Sequence, residues 1–286
     1  MNVVLIYNSA AGGNYDLRRL RKLFTAAGVT IDAHFTMNQL RSKQLKERIS
    51  KGAVFAVVGG DGSLNAVARL LVNTPSTLLP LPAGTFNHFV RDLGMYPSME
   101  ENLEHVSTAE TRTIDVGYVN DELFLNNTNL GLYPFSLIER KTTKKLIGKY
   151  AAAILSAIDQ LALFRRHSLI IDGKKIKSPF VFVGNNVYDI KKSLVPERTT
   201  FDKGILTIMI ATSGSRRALI RAIFSVLNGD VSHRNDFSLM QRSNLTVHSR
   251  HASLPVSFDG EVKRLKPPLV YRSAPKTLKV MVVSGK

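Results

Sequence analysis

The chain contains no cysteine. This excludes disulfides, thiolate catalysis and cysteine-ligated zinc, and it accords with a reducing compartment. Carboxylates are scarce beside cations, with 22 Asp and Glu against 39 Lys and Arg in 286 residues and a formal net charge of +17. Long apolar runs are missing too. The most helix-like apolar stretch, 150–164, carries Asp159 and is too short to span a bilayer. The opening "MNVVLIYNSAAGG" has no basic region before its apolar residues and runs directly into a polar turn, so it reads as a first strand instead of a signal peptide. No zinc knuckle, RNA-binding aromatic signature or basic repeat accompanies the charge, and nucleic acid is not an expected partner. The expectation is a cytoplasmic protein that touches membranes only peripherally.

What is present is an ordinary globular composition, 44% apolar, with an organisation that changes part-way along. The first hundred residues alternate strand and helix patterns. "NVVLIYN", "VTIDAHFT", "AVFAVV" and "TLLPLP" read as strands, and Asp16–Ala27, Asn38–Ser50 and Ser63–Val72 as helices. Such alternation predicts a parallel α/β sheet with ligand-binding loops at the carboxyl ends of its strands. After about residue 112 short strands dominate, including a hairpin "HSLIIDGKKIKS" turning at Asp172-Gly173. The expected architecture is an α/β nucleotide-binding domain over 1–116 and a mainly antiparallel β-sandwich domain over 117–286. The last residues are free to return to the first domain, and a nucleotide cleft is expected between the two.

Three glycine turns fall at strand ends in the first domain: "NSAAGGN" at 8–14, "GGDGS" at 59–63 and "PAGTFN" at 82–87. Bare backbone N–H groups at a helix start suit a phosphate, because glycine permits close approach and the helix end is positive. Asp61 is the odd member, since a carboxylate repels phosphates unless a divalent cation lies between them. The competing use is structural, with Asp61 capping its own helix. Thr85 and Asn87 can likewise either bind phosphate or cap. The late "SFDGEV" can be a hairpin turn or a source of acid–base carboxylates.

Taken together, these segments resemble the catalytic region of the diacylglycerol kinase-like lipid kinases, which include bacterial lipid kinases and sphingosine kinases. The matching residues are Asn8 to Gly12, Gly59 to Ser63, Pro82 to Asn87 and Asp259-Gly260-Glu261, with "TRTIDVG", "FLNNTNLGLYP" and "VGNN" in support. The resemblance implies ATP and Mg2+, a lipid alcohol such as diacylglycerol as acceptor, and nucleotide contacts from Asn8, Gly12, Thr36, Gly59, Gly60, Gly62, Ser63, Gly84, Thr85 and Asn87. It makes Asp61 and Asp115 the metal-organising acids. Glu261 becomes the candidate general base with Asp259 beside it, and Asp61 a rival for that role.

The chain departs from the family pattern at four places. Ser9 replaces a proline, Gly13 a frequent basic residue and His88 a frequent aspartate. Lys203 stands where some bacterial members place a metal-binding carboxylate, so a second metal site is expected to be absent. Basic segments at 139–150, 164–168 and 215–227 are candidate contacts with an anionic membrane surface. Two other functions fit parts of the pattern: a NAD kinase-type activity, which shares the glycine loop, and a nucleotide- or membrane-binding homologue without turnover.

Overall fold

The computed structural model describes residues 1–8, 15–131, 167–189, 197–211, 237–259 and 261–285. The chain divides into two compact units, Met1–Val116 with Ala274–Lys286, and Gly117–Ser273.

The first unit is built from β1 (Asn2–Tyr7), α1 (Leu17–Ala26), β2 (Thr30–Thr36), α2 (Lys43–Ser50), β3 (Val54–Gly59), α3 (Asp61–Leu71), β4 (Thr77–Pro82), α4 (His88–Asp92), α5 (Met99–Glu104) and the start of β5 (Glu110–Val119). Its strands pair in parallel in the order β2-β1-β3-β4. Val3, Val4, Leu5 and Ile6 of β1 are all buried, as expected of a parallel strand covered on both faces. Helix α1 starts where the Asp16 side chain accepts the Arg19 N–H at 2.6 Å, and it buries Leu20 and Phe24. The single helix expected over Asn38–Ser50 is instead a 3-10 turn at Met37–Gln39 followed by α2. Gln39 Oε1 accepts the Thr36 N–H at 2.9 Å, and the Ser42 hydroxyl accepts the Leu45 N–H at 3.4 Å. Gln39 ties the end of the short turn back to Thr36, and Ser42 caps the start of α2, which divides the stretch in two.

The second unit contains the end of β5, then β6 (Glu122–Phe124), β7 (Asn127–Gly131), β8 (His167–Ile171), β9 (Lys174–Ser178), β10 (Phe180–Asn185), β11 (Tyr188–Asp189), β12 (Glu197–Arg198), β13 (Leu206–Ala211), β14 (Phe237–Arg242), β15 (Asn244–Ser249), β16 (Leu254–Phe258) and β17 (Glu261–Leu265). The last strand, β18 (Leu269–Val282), begins here and ends in the first unit. One sheet runs β14-β13-β10-β7-β16-β17, and another β18-β15-β8-β9. Leu169, Val247 and Tyr271 from the second of these, with Val119 of β5, which pairs with β18, pack with Leu130, Val183, Ile208 and Val256 from the first in one core. That is an antiparallel β-sandwich. The β8–β9 hairpin turns through Asp172 at φ +49° and Gly173 at φ +77°, the left-handed pair that matches strand twist.

In the first unit, β18 extends the parallel sheet by pairing with β4, Lys279 against Thr77 and Val280 against Leu78. Gly285 then donates its N–H to the Gly94 carbonyl at 2.9 Å. The chain end is thereby an integral part of the α/β unit.

Candidate active site

The first cluster lies where β1, β3 and β4 end. Gly59 closes β3, and Gly60 precedes the first residue of α3, Asp61. A Cβ on Gly59 would come within 2.8 Å of the Ser63 hydroxyl, and a Cβ on Gly84 within 2.5 Å of Gly60 Cα. Glycine is therefore required at 59 and 84 because the chain approaches itself there. The turns after β3 and β4 abut through bare backbone. Asn8, at the end of β1, donates from Nδ2 to Ser63 Oγ at 3.3 Å. All three strand ends thus meet at the amino terminus of α3, an 11-residue helix whose first N–H groups carry its positive end.

Asp61 does not cap its own helix. Its Oδ2 accepts the His88 N–H at 3.1 Å and its Oδ1 the Phe89 N–H at 3.0 Å, so it holds the start of α4. Each carboxylate oxygen keeps a further lone pair for another partner. Asn87, at φ +49°, closes the intervening turn by accepting the Gly84 N–H at 2.9 Å and donating to the Gly84 carbonyl at 3.0 Å. Its amide serves the loop, and the side chains left exposed on that turn are Thr85 and Phe86. Phe86 stacks on His88 with centroids 5.5 Å apart, and Arg91 Nη2 lies 2.8 Å from His88 Nδ1. Thr36 ends β2, and Gly62 is the second residue of α3. Gly12, with Gly13 and Ser9, lies outside the described residues.

Asp115 is fully buried in β5. Its Oδ1 accepts the N–H of Lys276, a residue held at φ +52°, at 2.8 Å. A buried carboxylate is stable only with such partners.

The second cluster is in the sandwich unit. Asp259, at φ +44°, follows β16, and Glu261 begins β17 with its side chain exposed. Asp259 Oδ1 accepts the N–H groups of Asn126 and Asn127 at 2.9 and 3.1 Å, and Oδ2 that of Leu125 at 2.8 Å. This carboxylate ties the Asp-Gly-Glu turn to the segment between β6 and β7. That segment is itself held. The Leu125 carbonyl accepts from Asn185 Nδ2 at 3.0 Å and from Arg198 Nη1, and the Asn126 carbonyl from the Tyr188 hydroxyl at 2.8 Å. Leu125, Asn185, Tyr188 and Arg198 were not candidates from sequence, although "FLNNTNLG" and "VGNN" contain the first two. The signal for Gly184 is Tyr188, whose ring lies where a Cβ would stand.

At the departures, Lys203 Nζ is 3.7 Å from Asp202 Oδ1, with both side chains more than half exposed. Such a pair contributes little to stability. Among the described residues no three His, Asp or Glu side chains converge as a metal-ligand group. Magnesium held by one or two carboxylates, waters and substrate phosphates needs no such group, so Asp61 beside bare amides fits that donor set. The basic segments 139–150 and 215–227, and most of 164–168, lie outside the described residues.

Residues 2–119 match the model of the diacylglycerol kinase catalytic domain, and residues 137–282 that of the YegS C-terminal NAD kinase beta sandwich-like domain. The chain belongs to the diacylglycerol kinase-like lipid kinase family. Curated relatives named "Probable lipid kinase YegS-like" include one from Yersinia enterocolitica, 27% identical over 62% of this chain and 61% of its own length. Another, from Yersinia pestis, is 25% identical over 82% of each chain. A crystal structure of a diacylglycerol kinase from Bacillus anthracis superposes with a TM-score of 0.70 at 22% identity, covering 98% of this chain and 96% of that one, and so shares the fold. As a member of this ATP-dependent lipid kinase family the chain is an enzyme. Among the described residues no helix is long and apolar enough to cross a membrane.

Proposed function

We propose that this kinase transfers the γ-phosphoryl group of ATP to the hydroxyl of diacylglycerol or a related lipid alcohol, with Mg2+, while peripherally associated with a membrane surface. The observation that carries this reading is the close approach of Gly60 and Gly84, which packs two side-chain-free turns together at the start of α3. A triphosphate needs that combination of open space and unshielded N–H donors.

In this reading Gly59, Gly60, Gly62, Ser63 and Gly84 line the phosphates, Asn8 orients Ser63, and Asn87 keeps the 84–87 turn in shape. Gly12, Thr36 and Thr85 complete the nucleotide contacts. Asp61, with Asp115 in support, would hold magnesium through water, and the metal supplies charge neutralisation for the phosphates. Glu261 takes the proton from the acceptor hydroxyl as the P–O bond forms. Asp259, already engaged by three amides, is then a positioning residue for the turn that carries Glu261. Phosphoryl transfer asks chiefly for such positioning and electrostatic stabilisation.

The match to a NAD kinase-like sandwich keeps NAD as the acceptor to exclude. Incubation with γ-labelled ATP and an equal mixture of lipid extract and NAD is expected to label lipid. Label appearing in NADP alone would replace this reading with the NAD kinase one.

A further inference from the structure

Strand register sorts the outer sheet of the sandwich unit into two faces. Leu169, Ile171, Leu245, Val247, Leu269 and Tyr271 point into the core. The opposite face is carried by the alternate residues. Lys175 pairs with Ile170 and Ile170 with His248 in one row, Lys177 with Ser168 in the next, Thr246 with Val270, and Asn244 with Arg272. Directly paired residues share a face, so these form one continuous surface across four strands.

That surface has three permanent cations, Lys175, Lys177 and Arg272, all exposed. No alternate position on it is Asp or Glu. The carboxylate at its β8–β9 corner, Asp172, is ion-paired with Arg242 at 3.2 Å. Arg272 is held over the Tyr118 ring at 3.9 Å, which fixes its guanidinium instead of leaving it to sweep through solvent. Val270 is 41% exposed between Arg272 and the lysines, where a core position would have been covered.

We propose that this face is a docking surface for an anionic lipid bilayer. The choice of lipid as occupant rests on the lipid kinase reading, since an acceptor that resides in a bilayer must be met there. The charge argument is independent of it. An acid-free sheet face with cations around the exposed Val270 complements a layer of phosphate headgroups, and its attraction is electrostatic and shallow.

Sedimentation with vesicles tests this on the full chain. Binding is expected to vesicles of phosphatidylcholine mixed with phosphatidylglycerol, not to phosphatidylcholine alone, and to fade with added salt. Each surface cation contributes roughly a fivefold gain in partitioning, so Lys175→Ala/Lys177→Ala/Arg272→Ala should weaken binding about a hundredfold. The double variant Lys175→Gln/Lys177→Gln, which leaves the Arg272–Tyr118 contact intact, should weaken it roughly twenty-fivefold. Lys43→Ala/Lys46→Ala/Lys51→Ala, an equal charge loss in the first unit, should leave binding nearly unchanged. An equal loss in both triple variants would mean diffuse charge and would overturn the proposal. So would retention of binding in the first triple variant, or capture of duplex nucleic acid by this face with vesicles ignored. Vesicle binding without any phosphoryl transfer would sink the kinase reading and leave this surface standing.

Discussion

Gly84→Ala is the sharpest single perturbation of the nucleotide loops. The added Cβ would sit 2.5 Å from Gly60 Cα, which is backbone, and 2.9 Å from Asn87 Oδ1, which is held by the Gly84 N–H. Ordinary contact begins at 3.4 Å, so the two turns must separate by the difference between 3.4 and 2.5 Å, just under an ångström. Overpacking of this kind costs about 1–3 kcal/mol of stability. The functional loss should be larger, because displacing positioned groups by about 1 Å can reduce turnover about a hundredfold. Gly28→Ala is the matched control, a left-handed residue at φ +69° with nothing within 4 Å. It carries backbone strain of roughly 1 kcal/mol and touches neither turn. Thermal unfolding and ATP-dependent turnover, measured on both variants, separate the two effects. Comparable melting losses with activity lost only in Gly84→Ala support the reasoning. Unchanged kcat/KM for ATP in Gly84→Ala would refute it.

Asp61→Asn keeps one acceptor oxygen but loses the charge, so turnover should collapse while unfolding free energy falls by only about 1–2 kcal/mol; intact turnover in a steady-state assay would remove Asp61 from the chemistry. Asp259→Ala strands three N–H groups and should destabilise the sandwich unit by about 3 kcal/mol in denaturant titrations, with kcat falling more than KM for ATP. An unaltered denaturation midpoint would contradict the tether. Burial pushes the Tyr271 phenol well above the ordinary value of 10.0. The native state keeps this proton after the unfolded chain has lost it, so stability is full below pH 10.0 and falls as pH rises further. Tyr271→Phe should flatten that alkaline slope, and an unchanged slope would count against it.

The α/β half of the fold was legible because local pattern and tertiary role coincide there. The continuous apolar run of β1 and the amphipathic spacing of α1 mean the same thing alone as in context. The 38–50 segment reads as one helix because its charge pattern is continuous, although the cap at Ser42 divides it. β18 does not read as one strand in the sequence. Pro275 and the left-handed Lys276 interrupt its strand pattern, yet the strand runs from Leu269 to Val282. β14 (FSLMQR) puts Phe237 and Leu239 on one face and Met240 on the other, and so gives no clean alternation to read. At the site, the glycines were identifiable and their reason was not. Gly84 is small because of Gly60, and Asp61 caps α4 across 27 residues, not the helix it begins. Asp259 looks like an ordinary hairpin residue until its carboxylate meets amides more than 130 residues away. Local sequence shows which residue types are unusual, and only the folded chain shows what each one faces.

The central claim is that Glu261 activates a lipid hydroxyl toward ATP held by the glycine turns. Diacylglycerol in mixed micelles with γ-labelled ATP and Mg2+, given to the wild type and to Glu261→Gln, tests it most directly. The account predicts labelled phosphatidate from the wild type and a loss of about 10²–10⁴-fold in kcat for Glu261→Gln, with little change in KM for ATP. Equal labelling by both proteins would contradict it.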